Sequence, residues 1–241
     1  MESALECWKV GRWIMIGMFL SNIPTFQLSA QVGHDPGSSP YRDIYLHSGT
    51  MLFVGHLSAD RGKAGVGTSN ARTFGARFEL PAGRALNFQF TGAYLQGDRF
   101  KVNPYVDSNS TARKTGPIKS ELVQVEIGMQ LRLTGGKTWR GFSPYAGTGI
   151  GLISELNPVS DTSNYRFGTK FTFAFATGVR WYPIRRLAVT GEARALFWRL
   201  KYPTTFQLPL APDGSHVLGP TDRVTDWTLH PWISLGIGWT F

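Results

Sequence analysis

Charged residues stand at alternate positions within several apolar stretches of this 241-residue chain. Arg77 and Glu79 form one such pair, and Glu192 and Arg194 form another. A charge held away from bulk water needs an opposite charge or several hydrogen bonds, because its desolvation is costly. These residue types and spacings therefore predict an enclosed polar network of ion pairs. Its other candidate members are Glu126, Gln130, Arg132, Lys170 and Arg180.

The histidines and serines give no catalytic or metal-binding pattern. The histidines do not pair at a helical metal-binding spacing, and the chain has neither an HExxH motif nor a cysteine cluster. His47 and Ser48 are adjacent, and neighbouring strand residues point to opposite faces, so they do not readily form a nucleophile–base pair. Ser215 and His216 are likewise only sequence neighbours. We therefore expect a non-enzymatic protein without catalytic residues or a metal site.

The glycine-rich stretch GTGIGL at 147–152 invites a nucleotide-binding interpretation. The nucleotide motif needs its third glycine where Leu152 stands, and it also needs a following helix. The sequence suggests no helix there. We interpret the stretch as a strand with small residues on one face, and we expect no cofactor.

Eight stretches of strand length carry the charged residues, and most exceed the length typical of soluble strands. They match or exceed the roughly 9 to 11 residues that a tilted strand needs to cross a membrane. Apolar and polar residues alternate along them, as where Val125 is followed by Glu126 and Ile127. In the first stretch both faces are apolar, so its orientation stays open. The stretches are 44–57, 69–80, 85–97, 119–133, 142–153, 168–182, 187–199 and 226–241.

The connections between these stretches alternate strictly between long and short. Short links follow the second, fourth and sixth stretches, and longer polar links follow the others. All long loops therefore lie at one end, as in transmembrane barrels. A sheet inside a bilayer must close on itself, because its backbone has no water to bond. The sequence thus predicts an all-β fold, an eight-stranded antiparallel transmembrane β-barrel with its apolar face toward lipid.

The N-terminal segment has the layout of a secretory signal peptide. Basic residues precede an apolar run at 13–20, and small residues follow up to Ala30. We expect cleavage after Ala30. The expected division of the chain is a signal peptide at 1–30, a short periplasmic tail at 31–43 and the barrel at 44–241.

The chain resembles the small outer-membrane β-barrel family typified by the OmpA transmembrane domain and OmpX. The resemblance rests on SPYAGTGIGL at 143–152, LAVTGEARAL at 187–196 and the terminal SLGIGWTF. It implies residence in a bacterial outer membrane and a lumen plugged by salt bridges and hydrogen bonds. It also implies that the barrel-assembly machinery reads a terminal aromatic residue preceded by apolar residues at alternate positions. The residues that match this assembly signal are Leu235, Ile237, Trp239 and Phe241.

The long loops are the expected place for binding, because a rigid scaffold holds them. Loop 97–119 carries more basic than acidic residues, and the chain has a formal net charge of +9. Outside the cytoplasm, such a charge favours anionic lipid headgroups over nucleic acid. We expect contact with outer-membrane lipids, including lipopolysaccharide phosphates, or with an extracellular ligand. The candidate contact residues are Arg99, Lys101, Arg113 and Lys114.

Aromatic residues near the strand ends are expected to anchor the barrel at the two membrane interfaces. We expect their rings to face the membrane rather than a ligand. The periplasmic set is Trp181, Tyr182 and Trp239, and the outer set is Trp198, Trp227 and Trp232.

Two functions stay open beside a structural or surface-interaction role. The first is a narrow pore for small solutes, although an eight-stranded barrel has room only for packed side chains. The second is a lipid A-modifying hydrolase, which would need a serine and a histidine brought together by the fold. The strand number is open as well, because a hairpin hidden within 201–210 would make ten strands.

Overall fold

The computed structural model describes residues 39–158 and 163–241, which form an all-β molecule. In this part of the chain, no helix is long and apolar enough to cross a membrane. The predicted signal peptide at 1–30 lies outside the described residues. The strands are β1 (Tyr41–Asp43), β2 (Gly49–Leu57), β3 (Thr68–Pro81), β4 (Leu86–Val102), β5 (Lys114–Arg132), β6 (Lys137–Trp139), β7 (Phe142–Glu155), β8 (Lys170–Ile184), β9 (Leu187–Lys201) and β10 (Thr225–Thr240).

Eight of these strands close into an antiparallel barrel. Strands β2 to β5 pair in chain order, β5 pairs with β7, and β7 to β10 continue the ring. The last strand then returns to the first, with Leu235 opposite Val54 and Trp239 opposite Thr50. Every barrel strand therefore has both edges paired, as a sheet in hydrocarbon requires. The predicted eight-stranded antiparallel barrel is confirmed.

Large apolar side chains cover the outer wall of the barrel. Ile127, Ile150 and Leu235 are each more than half exposed, although they lie in the middle of paired strands. Exposed apolar area of this extent is unusual for a protein surface in water. An outer wall of this kind fits the hydrocarbon core of a membrane.

The structure shows which face of strand β2 points outward, a choice that its sequence left open because both faces are apolar. Leu52 and Val54 point outward, whereas Met51 and Phe53 are buried inside. The register against β10 decides between the two faces, because a shift by one residue would exchange them.

Strands β4 and β5 are longer than predicted and project beyond the rest of the barrel. Their pairing continues past a register shift until Val102 lies opposite Lys114. The connection between them is therefore only 103–113. The long loops of the barrel are 58–67, 103–113, 156–169 and 202–224, and the third is described at 156–158 and 163–169.

The two remaining strands lie outside the ring at its short-turn end. Tyr41 pairs with Trp139, and Asp43 pairs with Lys137, so β1 and β6 form a small ribbon. They add no barrel strand. Residues 201–210 contain the end of β9 and a single 3-10 turn at Thr204–Phe206, not a hairpin. The ten-stranded alternative is therefore wrong.

We expect Ile127→Arg to lower the free energy of unfolding by about 2–4 kcal/mol, because the cation would face hydrocarbon near the bilayer midplane. Urea titration of the barrel in lipid vesicles, followed by tryptophan fluorescence, measures this loss. Gly83→Arg is the control, because a side chain added at this short turn meets open space. Equal losses in the two variants would contradict lipid contact at Ile127.

Candidate functional site

All nine residues of the predicted polar network have buried side chains inside the barrel. Their exposed fractions do not exceed 9%. They project from four strands, β3, β5, β8 and β9. Strand residues alternate between the two faces of a sheet, so the same period that sends Ile127 to the outer wall sends Glu126 inward.

Glu192 is the centre of the larger group of ion pairs. Its carboxylate accepts two hydrogen bonds from Arg77, at 2.8 and 2.7 Å, and one from the Tyr145 hydroxyl at 2.7 Å. Arg194 donates to the same carboxylate at 3.2 and 3.0 Å and to Glu126 at 2.7 Å. Two arginines and two glutamates therefore offset each other's charge within the lumen. Buried charges need such pairing.

Arg180 forms the second group, nearer the short turns. Its guanidinium donates to Glu79 at 2.6 Å and to Gln130 at 2.7 Å. The structure thus brings seven of the nine candidates into two hydrogen-bonded groups. Arg132 and Lys170 lie outside both. Among the described residues, Nε and Nη1 of Arg132 have no hydrogen-bond partner, and Lys170 Nζ lies 4.8 Å from the Phe167 ring centroid at the long-loop end.

Two glycines leave room for these side chains to cross the lumen. A Cβ atom at Gly149 would lie 2.5 Å from Glu126 Oε1, and one at Gly178 would lie 2.6 Å from the Tyr145 hydroxyl. Glycine in a strand often marks a close approach of another group. The positions of the Glu126 and Tyr145 side chains therefore depend on glycine at residues 149 and 178.

Two further contacts of this network, Tyr145 and Gln124, were not among its predicted members. The Gln124 amide donates to Glu126 at 3.0 Å. Tyr145 lies on the same side of its strand as Gly147 and Gly149, and Gln124 lies on the same side as Glu126, so both side chains point into the lumen. The two-residue period was thus a sufficient signal for both contacts, whereas the choice of ion-pair partners depends on register between distant strands.

Most of the packed side chains in the long-loop half of the lumen are apolar, so the expectation of a polar interior needs correction there. The Trp198 indole stacks on the His230 imidazole with ring centroids 3.4 Å apart. The long loops add Val66, Tyr165 and Phe206, which are at most 1% exposed. The strand residues packed with them include Leu57, Leu95, Leu122, Ile153, Leu196 and Leu200.

Two residues expected in the outer aromatic girdle face the lumen instead. Trp198 and Trp232 are buried because they share strand parity with the inward residues Arg194 and Ser234. The Arg194 guanidinium carbon lies 5.2 Å from the Trp232 ring centroid, so a cation–π contact joins the polar half of the lumen to the apolar half. The exposed members of the two girdles are Trp181, Trp227 and Trp239.

Two of the four expected loop contacts are also buried. Arg99 belongs to β4, and its Nε lies 3.3 Å from Glu155 Oε1 inside the barrel. Arg113 is 9% exposed and donates to the carbonyl of Val106. Both positions were expected on an exposed loop. The extension of β4 turns Arg99 inward, whereas Arg113 is buried within the loop itself. The candidates left at the surface are Lys101 and Lys114.

Hydrogen bonds join the second long loop to the fourth. The Asp213 carboxylate accepts bonds from the backbone N–H and the hydroxyl of Ser108, both at 2.8 Å. The Asp213 N–H donates to Asp107 at 3.1 Å. Lys63 of the first loop pairs with Asp222 of the fourth at 3.2 Å.

Asp213 keeps its charge into acidic solution. Hydrogen bonds from Ser215 and Ser108 lower the pKa of its carboxyl below the ordinary value of 3.8. A lowered pKa means that the contact is fully present above the ordinary value and is lost as pH falls through the lowered one. The junction between loops 103–113 and 202–224 is therefore complete at neutral pH.

The histidines of the described residues do not form a metal site or a serine–histidine pair. No group of three His, Cys, Asp or Glu side chains in this part of the chain could hold a metal ion. His47 stacks on Tyr45 with ring centroids 4.1 Å apart, and His216 Nδ1 hydrogen-bonds the carbonyl of Gln207 at 2.7 Å. The absence of catalytic residues stays a prediction.

The residues of the expected assembly signal have exposed side chains, three of them on β10 and Phe241 directly after it. Leu235, Ile237 and Trp239 share one outward row, and the Phe241 N–H donates to the carbonyl of Ser48 at 2.9 Å. This row forms part of the apolar outer wall. Its role in assembly stays a prediction.

Comparison with solved structures shows where this architecture occurs. The crystal structure of Neisserial surface protein A matches with a TM-score of 0.50 and 12% identity, over 80% of this chain and 97% of that one. This chain has the fold of an integral outer-membrane β-barrel. The long loops, the aromatic girdles and the apolar wall of this outer-membrane barrel fit that environment.

Two further solved structures are similar at lower TM-scores. The N-terminal β-barrel domain of Pseudomonas aeruginosa OprF has a TM-score of 0.43 and 11% identity, over 83% of this chain and 100% of that one. The Yersinia pestis protein Ail, in complex with sucrose octasulfate, has a TM-score of 0.39 and 13% identity, over 81% and 99%. No protein-family model and no curated protein sequence matches this chain.

We expect Glu192→Gln to destabilise the barrel by about 3–5 kcal/mol, because it leaves Arg77 buried without its counter-charge. The free energy of unfolding in lipid vesicles measures the effect. Asp222→Asn is the control, because it breaks an ion pair whose side chains are 56% and 40% exposed, worth about 0–1 kcal/mol. A loss at Glu192 no greater than that of the control would contradict a tightly coupled network.

Proposed function

We propose that this integral outer-membrane barrel is a non-enzymatic surface protein with a closed lumen. Its role is structural, or lies in binding through the long loops. The observation that carries the proposal is the filled interior, with ion pairs around Glu192 in one half and an apolar core around Trp198 in the other. An eight-stranded barrel leaves an interior that such side chains can fill.

The described loops support a closed state because they pack over the barrel mouth. Val66, Tyr165 and Phe206 bury their side chains in the same cluster as the uppermost strand residues. The Asp60 N–H donates to His230 at 3.1 Å, which ties the first loop to β10. Opening a path for solutes would require separating these groups as well as the ion pairs below them.

The outer side of the loops supports binding of an anionic partner. Phe100 has the Arg61 guanidinium carbon and Lys114 Nζ each 4.8 Å from its ring centroid. Lys114 is exposed and Arg61 is half-buried, so both cations accompany an aromatic surface at the barrel rim. Lipopolysaccharide phosphates fit this chemistry, as do acidic extracellular saccharides. We propose Lys101 and Lys114 as loop contacts, and Phe241 with its apolar row as the signal for the barrel-assembly machinery.

The purified barrel should be electrically silent in a planar lipid bilayer, because the lumen holds paired charges instead of a water column. Single-channel recording with a wide porin as the positive control makes the measurement. Reproducible unitary currents would overturn the closed lumen in favour of a pore for small solutes. Loss of acyl chains from lipid A incubated with the protein, seen by mass spectrometry, would overturn the non-enzymatic assignment.

Arg61→Gln combined with Lys114→Gln should weaken binding of the phosphorylated, lipid-free core oligosaccharide of lipopolysaccharide by about tenfold or more. Isothermal titration calorimetry in detergent at low salt measures the affinity. The matched control is Arg72→Gln with Lys119→Gln, two exposed cations on barrel strands. Equal affinity of the two double variants would remove this loop surface as the binding site.

A further inference from the structure

An unassigned pocket of about 710 Å³ lies on the outer wall at the long-loop end of β8, β9 and β10. Its floor is aromatic. The rings of Phe171 and Phe173 meet edge to face at 4.8 Å, and Phe173 lies 6.1 Å from Trp227. All three side chains are exposed on the wall that faces lipid. An amphiphile with an apolar portion fits such a floor.

The rim of this pocket is basic. Arg166, Arg199 and Lys201 line it with exposed side chains. The register places Arg199 beside Trp227, and Lys201 lies opposite Thr225, two residues nearer the long loops. None of the described residues that line the pocket is acidic, and none of the three cations forms an ion pair within 39–158 or 163–241. The rim therefore favours an anionic headgroup.

A second groove of about 570 Å³ begins where the first pocket ends. Phe171 lines both. From Phe171 the groove follows one register row, through Leu152 on β7 and Val125 on β5 to Gly92 on β4. Three strand spacings give a length of about 14 Å. Apart from the inward-facing Glu126, the residues that line this groove carry no charge.

The row descends from the outer rim toward the bilayer midplane. Phe171 is the second residue of β8 counted from the long-loop end, whereas Gly92 is the seventh residue of β4 counted from the short-turn end. Barrel strands are tilted, so a row perpendicular to them changes depth as it passes round the wall. A molecule held here has its charged end at the outer surface and its apolar end within the membrane.

We propose that these two grooves together form a site for a single phosphate-bearing lipid of the outer leaflet. The phosphate binds Arg199, Lys201 and Arg166, and one acyl chain lies along Phe171 to the open space beside Gly92. A lipid is the occupant because the cationic pocket lies at the outer rim and continues into an apolar groove of acyl-chain length. This groove runs toward the bilayer midplane. This site is separate from the loop surface around Phe100 and does not depend on a closed lumen.

The headgroup half is tested by native mass spectrometry of the full-length barrel in detergent, titrated with diphosphoryl lipid A. Arg199→Gln combined with Lys201→Gln should weaken binding by about tenfold or more, because charge-assisted hydrogen bonds to phosphate are lost. The control, Arg72→Gln with Lys119→Gln, should bind as the unchanged protein does. Equal affinities of the two double variants would overturn the proposal.

The acyl-chain half is tested by Gly92→Leu, which fills the groove at a position where an added side chain meets open space. It should weaken binding of lipid A but leave a short-chain phosphorylated analogue unaffected. Gly83→Leu, at a short turn with open space, is the control. Loss of both ligands, or of neither, would contradict an acyl chain beside Gly92.

Competing occupants give distinct results in the same experiments. Binding of diacylglycerol, which carries no phosphate, as tight as that of lipid A would remove the requirement for a phosphate-bearing head. Complete displacement of lipid A by inorganic phosphate at similar concentration would assign the pocket to the free ion. Dimers that disappear in the Arg199→Gln and Lys201→Gln variant without added lipid would assign this wall to a second copy of the chain. Each of these outcomes would overturn the lipid site.

Discussion

Backbone pairing between β2 and β10 is the constraint on which the rest of the molecule depends. Hydrocarbon offers no hydrogen-bond partner for an open sheet edge, so the first and last barrel strands have to pair with each other. The register of this pairing fixes which face of β2 points outward, as the exposed Leu52 and the buried Met51 show. Closure also creates an interior whose volume is set by the strand number, and this interior then has to be filled.

Two different solutions fill that interior. Around Glu192, arginines and glutamates satisfy one another, and glycines such as Gly149 give their side chains the necessary space. Around Trp198, aromatic and aliphatic groups pack as in a soluble core, with loop residues completing the packing. The Arg194–Trp232 contact lies between them. The outer wall needs neither ion pairs nor packing by loop residues, because lipid solvates its side chains directly.

Much of this architecture can be read from the two-residue period and the alternation of loop lengths. Those signals predicted the strands, their number and the inward position of Glu126 and Arg180. They were insufficient for Arg99, because continued pairing of β4 with β5 moved it from an expected loop into the interior. The two-residue period also indicates that Trp198 points inward. Trp198 was assigned to the outer aromatic girdle instead, because it lies near a strand end. Ion-pair partners such as Arg77 and Glu192 lie 115 residues apart, so only the closed register reveals them.

The burial of the loop residues Phe206 and Val66 has a consequence for which loop positions can change. Here the loop segments nearest the barrel also serve as its packed lid, so their substitution would disturb the core. Substitutions should therefore be tolerated best at solvated positions such as Asn109 and Pro212, while the packed positions stay apolar.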